Sequence, residues 1–176
     1  DAPNQPAGAH INTLAHLVCP TQFGIDQLRE GGYKGSAEVI PYGVDTELYR
    51  PIDKREARRS VGFREHMLDG FVVGRADRNA SRKRYDLSTR YWSEWWKGAG
   101  KPDDAWLYYH CALKDVGWDI VQLARYYGIE DRLILTSQRL HPGKMLLERE
   151  VVDIYRTWDL HLSTTLGEGW GLVAHE

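Results

Sequence analysis

The distribution of hydrophobic positions along the chain predicts alternating strands and helices from about residue 71 onward. Four short runs have the length and composition of buried strands: GFVVG, AWLYYH, RLILTS and DLHLSTT. Three segments between them place apolar residues three and four positions apart, as on one face of a helix: RKRYDLSTRYWSEWWK, GWDIVQLARYYG and LLEREVVDIYRTW. This alternation is typical of βαβ units. We therefore predict an α/β fold with a Rossmann-like parallel sheet and flanking helices.

The part of the chain before about residue 71 has a different pattern. HLVCPTQFGIDQLREGG predicts a strand and a helix ended by glycines, and AEVIPYGVDTELYRP predicts a strand that continues into an extended segment with prolines. We predict the tail of one domain in residues 1–41, a linker in 42–55 and a second domain in 56–176. The final LVAHE is expected to be the first turns of a helix, so we expect the chain to be a fragment.

Composition and charge narrow the classes of partner. The net charge of -2 and the pI near 6.4 argue against nucleic acid as a partner. Cys19 and Cys111 fit neither a disulfide framework nor a metal-binding CxxC motif, which favours a reducing compartment. The sequence contains no apolar run long enough to span a membrane and no signal-peptide pattern at its start. We predict a cytoplasmic protein with no integral membrane segment.

The segment TLGEGWG follows the last predicted strand and precedes the predicted helix near Leu172. Its glycines allow the backbone to approach a ligand, and the free N–H groups of a helix start favour a phosphate or diphosphate. Glu168 and Glu176 stand on either side, and each carboxylate is able to accept hydrogen bonds from two hydroxyls of a sugar or ribose. The alternative is that two of the 25 acidic residues fall at this spacing by chance.

A second cluster, RNASRKR, follows the strand GFVVG and contains Arg78 and Lys83. Cations in a loop at the carboxyl end of a strand are suited to neutralising a diphosphate. The alternative is a solvated basic patch at the start of a helix. Both clusters are expected at the same edge of the parallel sheet, where open α/β folds bind ligands.

The aromatic residues and the absent motifs restrict the chemistry further. Trp92, Trp95 and Trp96 are expected to form a packed helix face rather than a platform for stacking sugars. The sequence contains no HExxH, no Asp-x-Asp, no Walker A sequence and no GxSxG. These absences give no support to a metal-dependent, kinase or hydrolase mechanism.

Several segments, taken in order, resemble one known family. VIPYGVDTELYRP resembles an interdomain IPNGVD stretch, RNASRKR an Arg-x4-Lys loop, and GEGWGLVAHE the end of an E-x7-E motif. CPTQFGIDQL resembles the last strand and helix of an N-terminal domain. The chain resembles the GT-B glycosyltransferases of family 4, which are retaining enzymes that use nucleotide sugars. The resemblance covers roughly residues 17–176 and implies the donor-binding C-terminal half of a GT-B fold, truncated, with most of the acceptor domain missing.

The resemblance implies a role for each matching residue. Arg78 and Lys83 would hold the donor diphosphate and stabilise the charge that develops on the leaving nucleotide. Glu168 would contact the donor sugar near the reacting centre, and Glu176 would hold the ribose hydroxyls. The remaining donor-binding positions would be the backbone at Trp170, Gly171 and Leu172, and a loop near the base that begins at Ser137.

The implied function is transfer of a sugar from a UDP- or GDP-sugar to a hydroxyl of a glycan, lipid or small molecule. No metal or other cofactor is expected, and the full-length protein would be cytoplasmic or peripheral to a membrane. Two alternatives stay open. GWGLVA matches the GxGxxA pattern of NAD(P)-dependent oxidoreductases. That pattern is expected in the first βα unit with an acidic residue about 20 positions later, whereas here it follows the fourth predicted strand and no such residue comes after it. The same residues would also serve a module that binds a nucleotide or sugar without turnover.

Overall fold

A computed structural model of the chain describes residues 11–136 and 146–176. The chain divides into two compact units, and each is described by itself. The first unit holds the described residues up to Val44 together with Glu168–His175, and the second holds the described part of Asp45–Gly167 together with Glu176. The break after Val44 falls within the predicted linker, residues 42–55. The predicted roles of the domains stay predictions.

The first unit is a small parallel α/β arrangement. Strand β1 (His16–Cys19) leads into helix α1 (Gln22–Glu30), and strand β2 (Ser36–Val39) then pairs with β1 in parallel. The Thr21 hydroxyl accepts a hydrogen bond from the Gly24 N–H at 3.0 Å, which satisfies one of the free N–H groups at the start of α1. The two strands and the helix predicted in this region are confirmed.

The second unit is built around a four-stranded parallel sheet. Its described strands and helices are, in chain order, α2 (Lys54–Val61), β3 (Phe71–Ala76), α3 (Tyr85–Gly98), β4 (Ala105–His110), α4 (Ile120–Tyr127), β5 (Leu133–Leu135), α5 (Glu148–Tyr155) and β6 (Leu160–His161). The strand order across the sheet is β5, β4, β3, β6, and all neighbours are parallel. The predicted strands and the helices between them are confirmed, and so is the Rossmann-like α/β fold class.

The two central strands are buried along almost their whole length. In β3 every residue after Phe71 is buried, and in β4 the buried run extends from Ala105 to Tyr109. Val73 pairs with Leu107 of β4 on one side and with Leu160 of β6 on the other. Continuous burial of this kind is typical of a parallel sheet whose two faces are both packed.

One hydrophobic cluster joins the sheet to α3 and α4. Among its members are Val73 of β3, Leu107 of β4, Trp92 of α3 and Ile120 of α4, each no more than 3% exposed. Burial of a large apolar side chain contributes about 1.5–3 kcal/mol relative to its exposed state. The cluster therefore fixes both helices against the strands whose loops carry the candidate site.

The three tryptophans of α3 do not share one buried face, and the sequence prediction is wrong for Trp95. Trp92 and Trp96 are 2% and 7% exposed, and their rings stack with centroids 5.9 Å apart. Trp95 is 45% exposed and contacts Phe71 at a ring distance of 5.7 Å. Successive helix positions are about 100° apart, so Trp95 lies at the edge of the buried stripe beside Trp96.

The sequence prediction misses helix α2, because KREARRSV has almost no apolar residue from which to read a period. Its ends nevertheless carry ordinary helix signals. The Asp53 carboxylate accepts a hydrogen bond from the Glu56 N–H at 2.9 Å, and Gly62 ends the helix with a φ of 92°. Local capping therefore defines a helix that hydrophobic periodicity does not reveal.

Helix α2 is attached to the unit by a buried arginine rather than by an apolar face. Arg58 is 2% exposed and donates to the carbonyl oxygens of Thr157 at 3.0 Å and Leu68 at 2.7 Å. Its guanidinium also donates to the Asp159 carboxylate at 2.6 Å, and that carboxylate accepts from the Val72 N–H at 2.7 Å. A buried charge is stable only when it is paired and hydrogen-bonded in this way.

A close approach between β3 and the chain before β6 requires glycine at position 74. A Cβ placed on Gly74 would lie 1.8 Å from Cδ2 of Trp158, because the indole ring packs directly on the strand backbone. No side chain fits in that space. Gly74 thus allows Trp158 to lie against the central strand.

The described helices are short, and the longest, α3, has 14 residues. A helix that crosses a membrane needs about 20 predominantly apolar residues. Among the residues that the structure describes, no helix is long and apolar enough to cross a membrane. The predicted cytoplasmic location stays a prediction.

Candidate functional site

A buried arginine, Arg75, lies near the carboxyl end of β3 and forms hydrogen bonds to the loop that follows the strand. Arg75 is 0% exposed, and its guanidinium donates to Asp77 Oδ2 at 3.1 Å and to Thr164 Oγ1 at 2.6 Å. It also donates to the carbonyl oxygen of Lys83, and it lies 4.2 Å from the centre of the Tyr85 ring. Burying a charge costs several kcal/mol unless such contacts compensate it. Arg75 therefore fixes the course of the loop from Asp77 to Lys83.

Lys83, one of the two cations predicted to hold a diphosphate, lies in the interior beside Arg75. It is 9% exposed, and its Nζ forms an ion pair with Asp77 Oδ1. It closes the 3-10 turn Ser81–Lys83, and the next residue, Arg84, adopts a left-handed conformation with a φ of 54°. Asp77 contacts both buried cations, one with each carboxylate oxygen. Asp77 therefore holds both cations at this end of β3.

Arg78, the other predicted cation, lies on the surface of the same loop. Its side chain is 70% exposed, and its Nε donates to Asp115 Oδ2 at 2.8 Å. That hydrogen bond lowers the pKa of the Asp115 carboxyl from its usual value. Exposed ion pairs of this kind contribute little to stability. The guanidinium is therefore able to exchange Asp115 for another anion at small cost.

Asn79 joins the loop after β3 to the loop after β4. It is fully buried, and its Nδ2 donates to the carbonyl oxygens of Ala112 at 3.0 Å and Trp118 at 2.6 Å. Its Oδ1 accepts from the Trp118 N–H at 2.9 Å. A Cβ on Gly117 would lie 2.3 Å from the same oxygen, so this crossing requires glycine. The two loops therefore form one connected surface at the carboxyl edge of the sheet.

The chain that follows β6 joins the same edge. The Leu166 N–H donates to the carbonyl oxygen of Arg82 at 2.9 Å, and the Arg82 guanidinium donates to the carbonyl oxygen of Gly167 at 2.7 Å. Backbone and side chain thus both connect this segment to the loop that carries Lys83. The loops after β3, β4 and β6 meet where open α/β sheets bind their ligands.

The predicted glycine-rich turn lies in the first unit. Trp170 stacks on His175 with ring centroids 4.8 Å apart, and its ring also meets Tyr42 edge to face at 6.3 Å. Gly171 has a φ of 80°, and a Cβ placed on it would lie 3.9 Å from the Glu168 side chain. The turn is therefore shaped by aromatic packing and by one left-handed glycine.

The prediction of an α-helix that begins near Leu172 is wrong, because the segment forms a different type of helix. The chain forms the three-residue 3-10 helix Leu172–Ala174, and no side chain caps its start, because Gly171 stands at the cap position. One hydrogen-bonded turn orders several residues for little gain, so short segments do not become α-helical on their own. The helix start expected to favour a phosphate is thus a single tight turn.

Glu176 lies in the second unit, where it lines a cleft of about 340 Å³. The other walls come from residues 49–54, from α5 and from the chain just after α5. These lining residues are Tyr49, Arg50, Pro51, Ile52, Lys54, Val152, Tyr155, Arg156 and Trp158. The cleft therefore combines one carboxylate with an aromatic wall.

Two tyrosines that line the cleft have raised pKa values. Burial raises the pKa of Tyr49 to about 12, and the charges of Glu176 and Glu148 add to the shift. Burial and the Glu176 charge also raise the pKa of Tyr155, with a smaller contribution from Asp77.

Two titratable residues at this edge of the sheet, Asp77 and His161, were not among the predicted site residues. Asp77 lies in a segment rich in basic residues. A single carboxylate between Arg75 and Arg78 nevertheless indicates an ion pair and could have identified it. His161 ends β6, stacks on Trp158, and has a buried Nε2 with no hydrogen-bond partner among the described residues. Burial lowers the pKa of His161, which favours the neutral ring.

The structure brings the predicted site residues together only in part. Arg78 and Lys83 share one loop but contact different carboxylates, Asp115 and Asp77. Glu176 belongs to the same unit, whereas the remaining predicted residues, Glu168, Trp170, Gly171 and Leu172, belong to the first unit. Ser137 lies outside the described residues. Within the described residues no three His, Cys, Asp or Glu side chains are grouped as a metal ion would require, and the expectation that none is needed stays an expectation.

Solved structures share this architecture. The chain superposes on WaaG, a glycosyltransferase involved in lipopolysaccharide biosynthesis, with a TM-score of 0.64, 17% identity and 89% of the chain covered. It superposes on the apo structure of OtsA with a TM-score of 0.66, 12% identity and 97% covered. The chain has the Rossmann-like α/β fold of a GT-B glycosyltransferase domain. The pneumococcal O-GlcNAc transferase GtfA, in complex with UDP and GlcNAc, gives a TM-score of 0.64, 16% identity and 96% covered.

The comparisons also limit what the fold implies. The chain spans 40% of the WaaG chain, 44% of the OtsA chain and 29% of the GtfA chain. The sequence matches no protein-family model and no curated protein. Identities of 12–17% establish the fold, and the reaction must be argued from the residues of this chain.

Proposed function

We propose that the chain carries the nucleotide-binding part of a glycosyltransferase that moves a sugar from a nucleotide-sugar donor to an acceptor hydroxyl. One observation supports this most strongly: the loops after β3, β4 and β6 meet at the carboxyl edge of the sheet and bring Arg78 and Lys83 there. The GT-B fold makes glycosyl transfer the reaction to expect at that edge. In line with the family resemblance, we also propose family 4 chemistry with retention at the anomeric carbon.

In this proposal the loop after β3 stabilises the leaving group. The bond between the anomeric carbon and the diphosphate oxygen breaks, and its electron pair leaves with that oxygen. The acceptor oxygen forms the new bond, and its proton leaves with the nucleoside diphosphate. Negative charge therefore develops on the diphosphate, where preorganised cations lower the barrier. Lys83 is preorganised by Asp77, and exposed Arg78 would exchange Asp115 for a phosphate oxygen.

The carboxylates would bind the hydroxyl groups of the donor. Glu176 lies in an aromatic cleft, as suits a ribose next to a flat base, and Glu168 would contact the sugar near the reacting centre. We propose a UDP- or GDP-sugar as donor and a glycan, lipid or small molecule as acceptor. UDP is the first nucleotide to test, because GtfA was solved with UDP.

The test is calorimetric titration of the protein with UDP, GDP, ADP and NAD. We expect saturable binding of one nucleoside diphosphate, weakened about tenfold or more by Lys83→Met and by Glu176→Gln, since a hydrogen bond to a charged group contributes about 1.5–3 kcal/mol. Lys97→Gln is the matched control, because this exposed lysine of α3 donates only to the carbonyl oxygen of Tyr127 in the described structure. Circular dichroism and thermal unfolding verify that each variant is folded.

The other outcomes are equally informative. Binding of NAD alone would contradict the proposal and favour an oxidoreductase. Unchanged nucleotide affinity in both variants would contradict the assignment of the site. Nucleoside diphosphate binding without sugar release from the matching nucleotide sugar would favour a binding module that does not turn over.

A further inference from the structure

The turn that carries Lys83 ends in a backbone conformation that glycine usually adopts. Arg84 has a φ of 54°, and among the described residues only Lys101 is another non-glycine residue with a positive φ. This left-handed region is unfavourable for a residue with a Cβ, because the Cβ comes too close to the carbonyl oxygen that follows. Contacts from elsewhere in the fold must therefore hold Arg84 in this conformation.

The carbonyl oxygen of Arg84 is held by a side chain 80 positions further along the sequence. The Thr164 hydroxyl, three residues after β6, donates to that oxygen at 2.7 Å. The Leu87 and Ser88 N–H groups of α3 also donate to it, at 3.1 and 3.3 Å, as expected for the residue that precedes a helix. The bond from Thr164 is the shortest of these, and it connects the end of the turn to the segment after β6.

Arg75 fixes the direction of the hydrogen bonds around Thr164. It donates to Thr164 Oγ1 at 2.6 Å and to Ser88 Oγ, and the two hydroxyl oxygens lie 2.8 Å apart. A guanidinium has no acceptor atom, so both hydroxyls accept from it and keep their own protons for other partners. The carbonyl oxygen of Arg84 lies 2.7 Å from Thr164 Oγ1 and 3.4 Å from Ser88 Oγ. The Thr164 proton therefore goes to that carbonyl oxygen, and the Ser88 proton goes to Thr164.

The carbonyl group of Lys83 is held in the same network. The guanidinium of Arg75, which is 0% exposed, donates to its oxygen. Two consecutive carbonyl groups, those of Lys83 and Arg84, are thus fixed by Arg75 and Thr164. Because each peptide unit is planar, fixing both groups sets φ and ψ of Arg84. The same bonds therefore set the direction in which the turn that carries Lys83 enters α3.

We propose that Thr164 is a positioning residue for Lys83: its hydroxyl holds Arg84 in the left-handed conformation and so places the Lys83 ammonium group where the donor diphosphate binds. This inference rests on the proposed function. It gives the segment after β6 a part in the phosphate site. Thr164 does not itself contact the ligand in this proposal, and it acts through the backbone of Arg84.

A cycle of substitutions without ligand tests the backbone role. Thr164→Val keeps the shape of the side chain and removes the hydroxyl. Arg84→Gly and Arg84→Ala both lose the ion pair with Asp86, but only glycine adopts a positive φ without cost. We expect Thr164→Val to lower the midpoint of urea denaturation equally in wild type and in Arg84→Ala. In Arg84→Gly it should lower the midpoint clearly less, because the conformation no longer needs the hydroxyl.

Nucleotide titration tests the consequence for Lys83. UDP, GDP and ADP and the corresponding monophosphates are titrated into wild type, Thr164→Val, Thr164→Ser and Thr164→Val with Arg84→Gly. We expect Thr164→Val to weaken binding of the nucleoside diphosphate roughly three- to tenfold, the effect of one hydrogen bond, and to weaken binding of the monophosphate less. Thr164→Ser keeps the hydroxyl and should bind like wild type, and adding Arg84→Gly to Thr164→Val should restore most of the affinity. Thr46→Val, at an exposed threonine of the linker, is the matched control.

The outcomes distinguish this inference from the proposed function. If Thr164→Val lowers the urea midpoint equally in all three backgrounds, the hydroxyl does not hold Arg84 and the inference is overturned, whatever the protein binds. If wild type binds a nucleoside diphosphate and Thr164→Val weakens the diphosphate and the monophosphate equally, or neither, the positioning of Lys83 is wrong and the nucleotide site stands. If wild type binds none of the nucleotides, both the inference and the proposed function are overturned.

Discussion

Lys83 Nζ and Asp77 Oδ1 form an ion pair whose side chains are 11% and 8% exposed, whereas Arg78 on the same loop is 70% exposed and pairs with an Asp115 side chain that is 13% exposed. The two cations therefore occupy different electrostatic environments. Lys83 is held in one place by a buried partner, and Arg78 is free to reorient in water. A diphosphate between them would meet one fixed and one adaptable cation.

The buried pair leads to the first prediction. Asp77→Asn removes the negative charge that pairs with both of the buried cations Arg75 and Lys83. Breaking a buried ion pair from one side leaves an uncompensated charge and typically costs about 3–5 kcal/mol. We expect a fall of that size in the free energy of unfolding, measured by urea denaturation.

The exposed pair provides the matched control. Asp115→Asn removes the partner of Arg78, whose guanidinium is then solvated by water. We expect a smaller loss in the same urea experiment, because the Arg78 side chain is already largely in water. Equal losses for Asp77→Asn and Asp115→Asn would show that the interior pair has no special structural role.

The second prediction concerns Gly74. In Gly74→Ala the new methyl group would lie 1.8 Å from Trp158 Cδ2, so the indole ring or the strand must move. Overpacking of this kind costs about 1–3 kcal/mol or more. We expect a lower melting temperature together with a changed near-ultraviolet circular dichroism signal from the displaced tryptophan.

Gly98→Ala is the control for that substitution. Gly98 is the last residue of α3, and a Cβ there would meet no atom within 4 Å. Alanine in a helix is more favourable than glycine by up to about 1 kcal/mol. We expect unchanged or slightly higher stability, and a loss as large as that of Gly74→Ala would contradict the steric explanation.

The fold follows from the sequence wherever a hydrophobic period is present. The run AWLYYH, for example, predicts β4 because a strand buried on both faces must be continuously apolar. Helix α2 has no such period, since Arg58 packs by hydrogen bonds to carbonyl oxygens that come from distant parts of the chain. A pattern search cannot detect contacts that exist only after folding.

The site is predictable to a smaller extent for the same reason. Arg78 and Lys83 can be chosen from the sequence as loop cations, but their different burial depends on where Asp77 and Asp115 lie in the fold. The aromatic surroundings of Glu176 come from Tyr49, before α2, and from Tyr155 of α5, more than 100 positions apart along the chain. Residue types identify candidates, and tertiary contacts decide which of them act together.

The third prediction uses the two cysteines. Cys111 is 8% exposed, and burial raises the pKa of its thiol to about 12. The thiolate is the reactive form, so this thiol should resist alkylation near neutral pH. We expect iodoacetamide to modify the partly exposed Cys19 first and Cys111 only after denaturant is added, as followed by mass spectrometry of the peptides. Rapid labelling of Cys111 in the folded protein would show that the core opens at the end of β4.

The last prediction concerns the ionisation of Tyr49, whose hydroxyl lies 3.5 Å from Glu148 Oε1 and whose pKa is raised by burial and by the charges of Glu176 and Glu148. Its pKa, about 12, is above the ordinary value near 10, so the fold favours the neutral phenol. The corresponding stability is fully present below pH 10 and is lost as the pH rises through about 12. Glu148→Gln removes one of the two negative charges, so the pKa of Tyr49 should fall but stay above 10, because burial and Glu176 remain.

Ultraviolet titration of the tyrosines, with Tyr49→Phe to assign the transition, measures this shift. Glu94→Gln is the control, since Glu94 pairs with Arg90 on the surface of α3 and should leave the transition unchanged. A Tyr49 transition that Glu148→Gln does not move would show that the Glu148 charge does not raise this pKa.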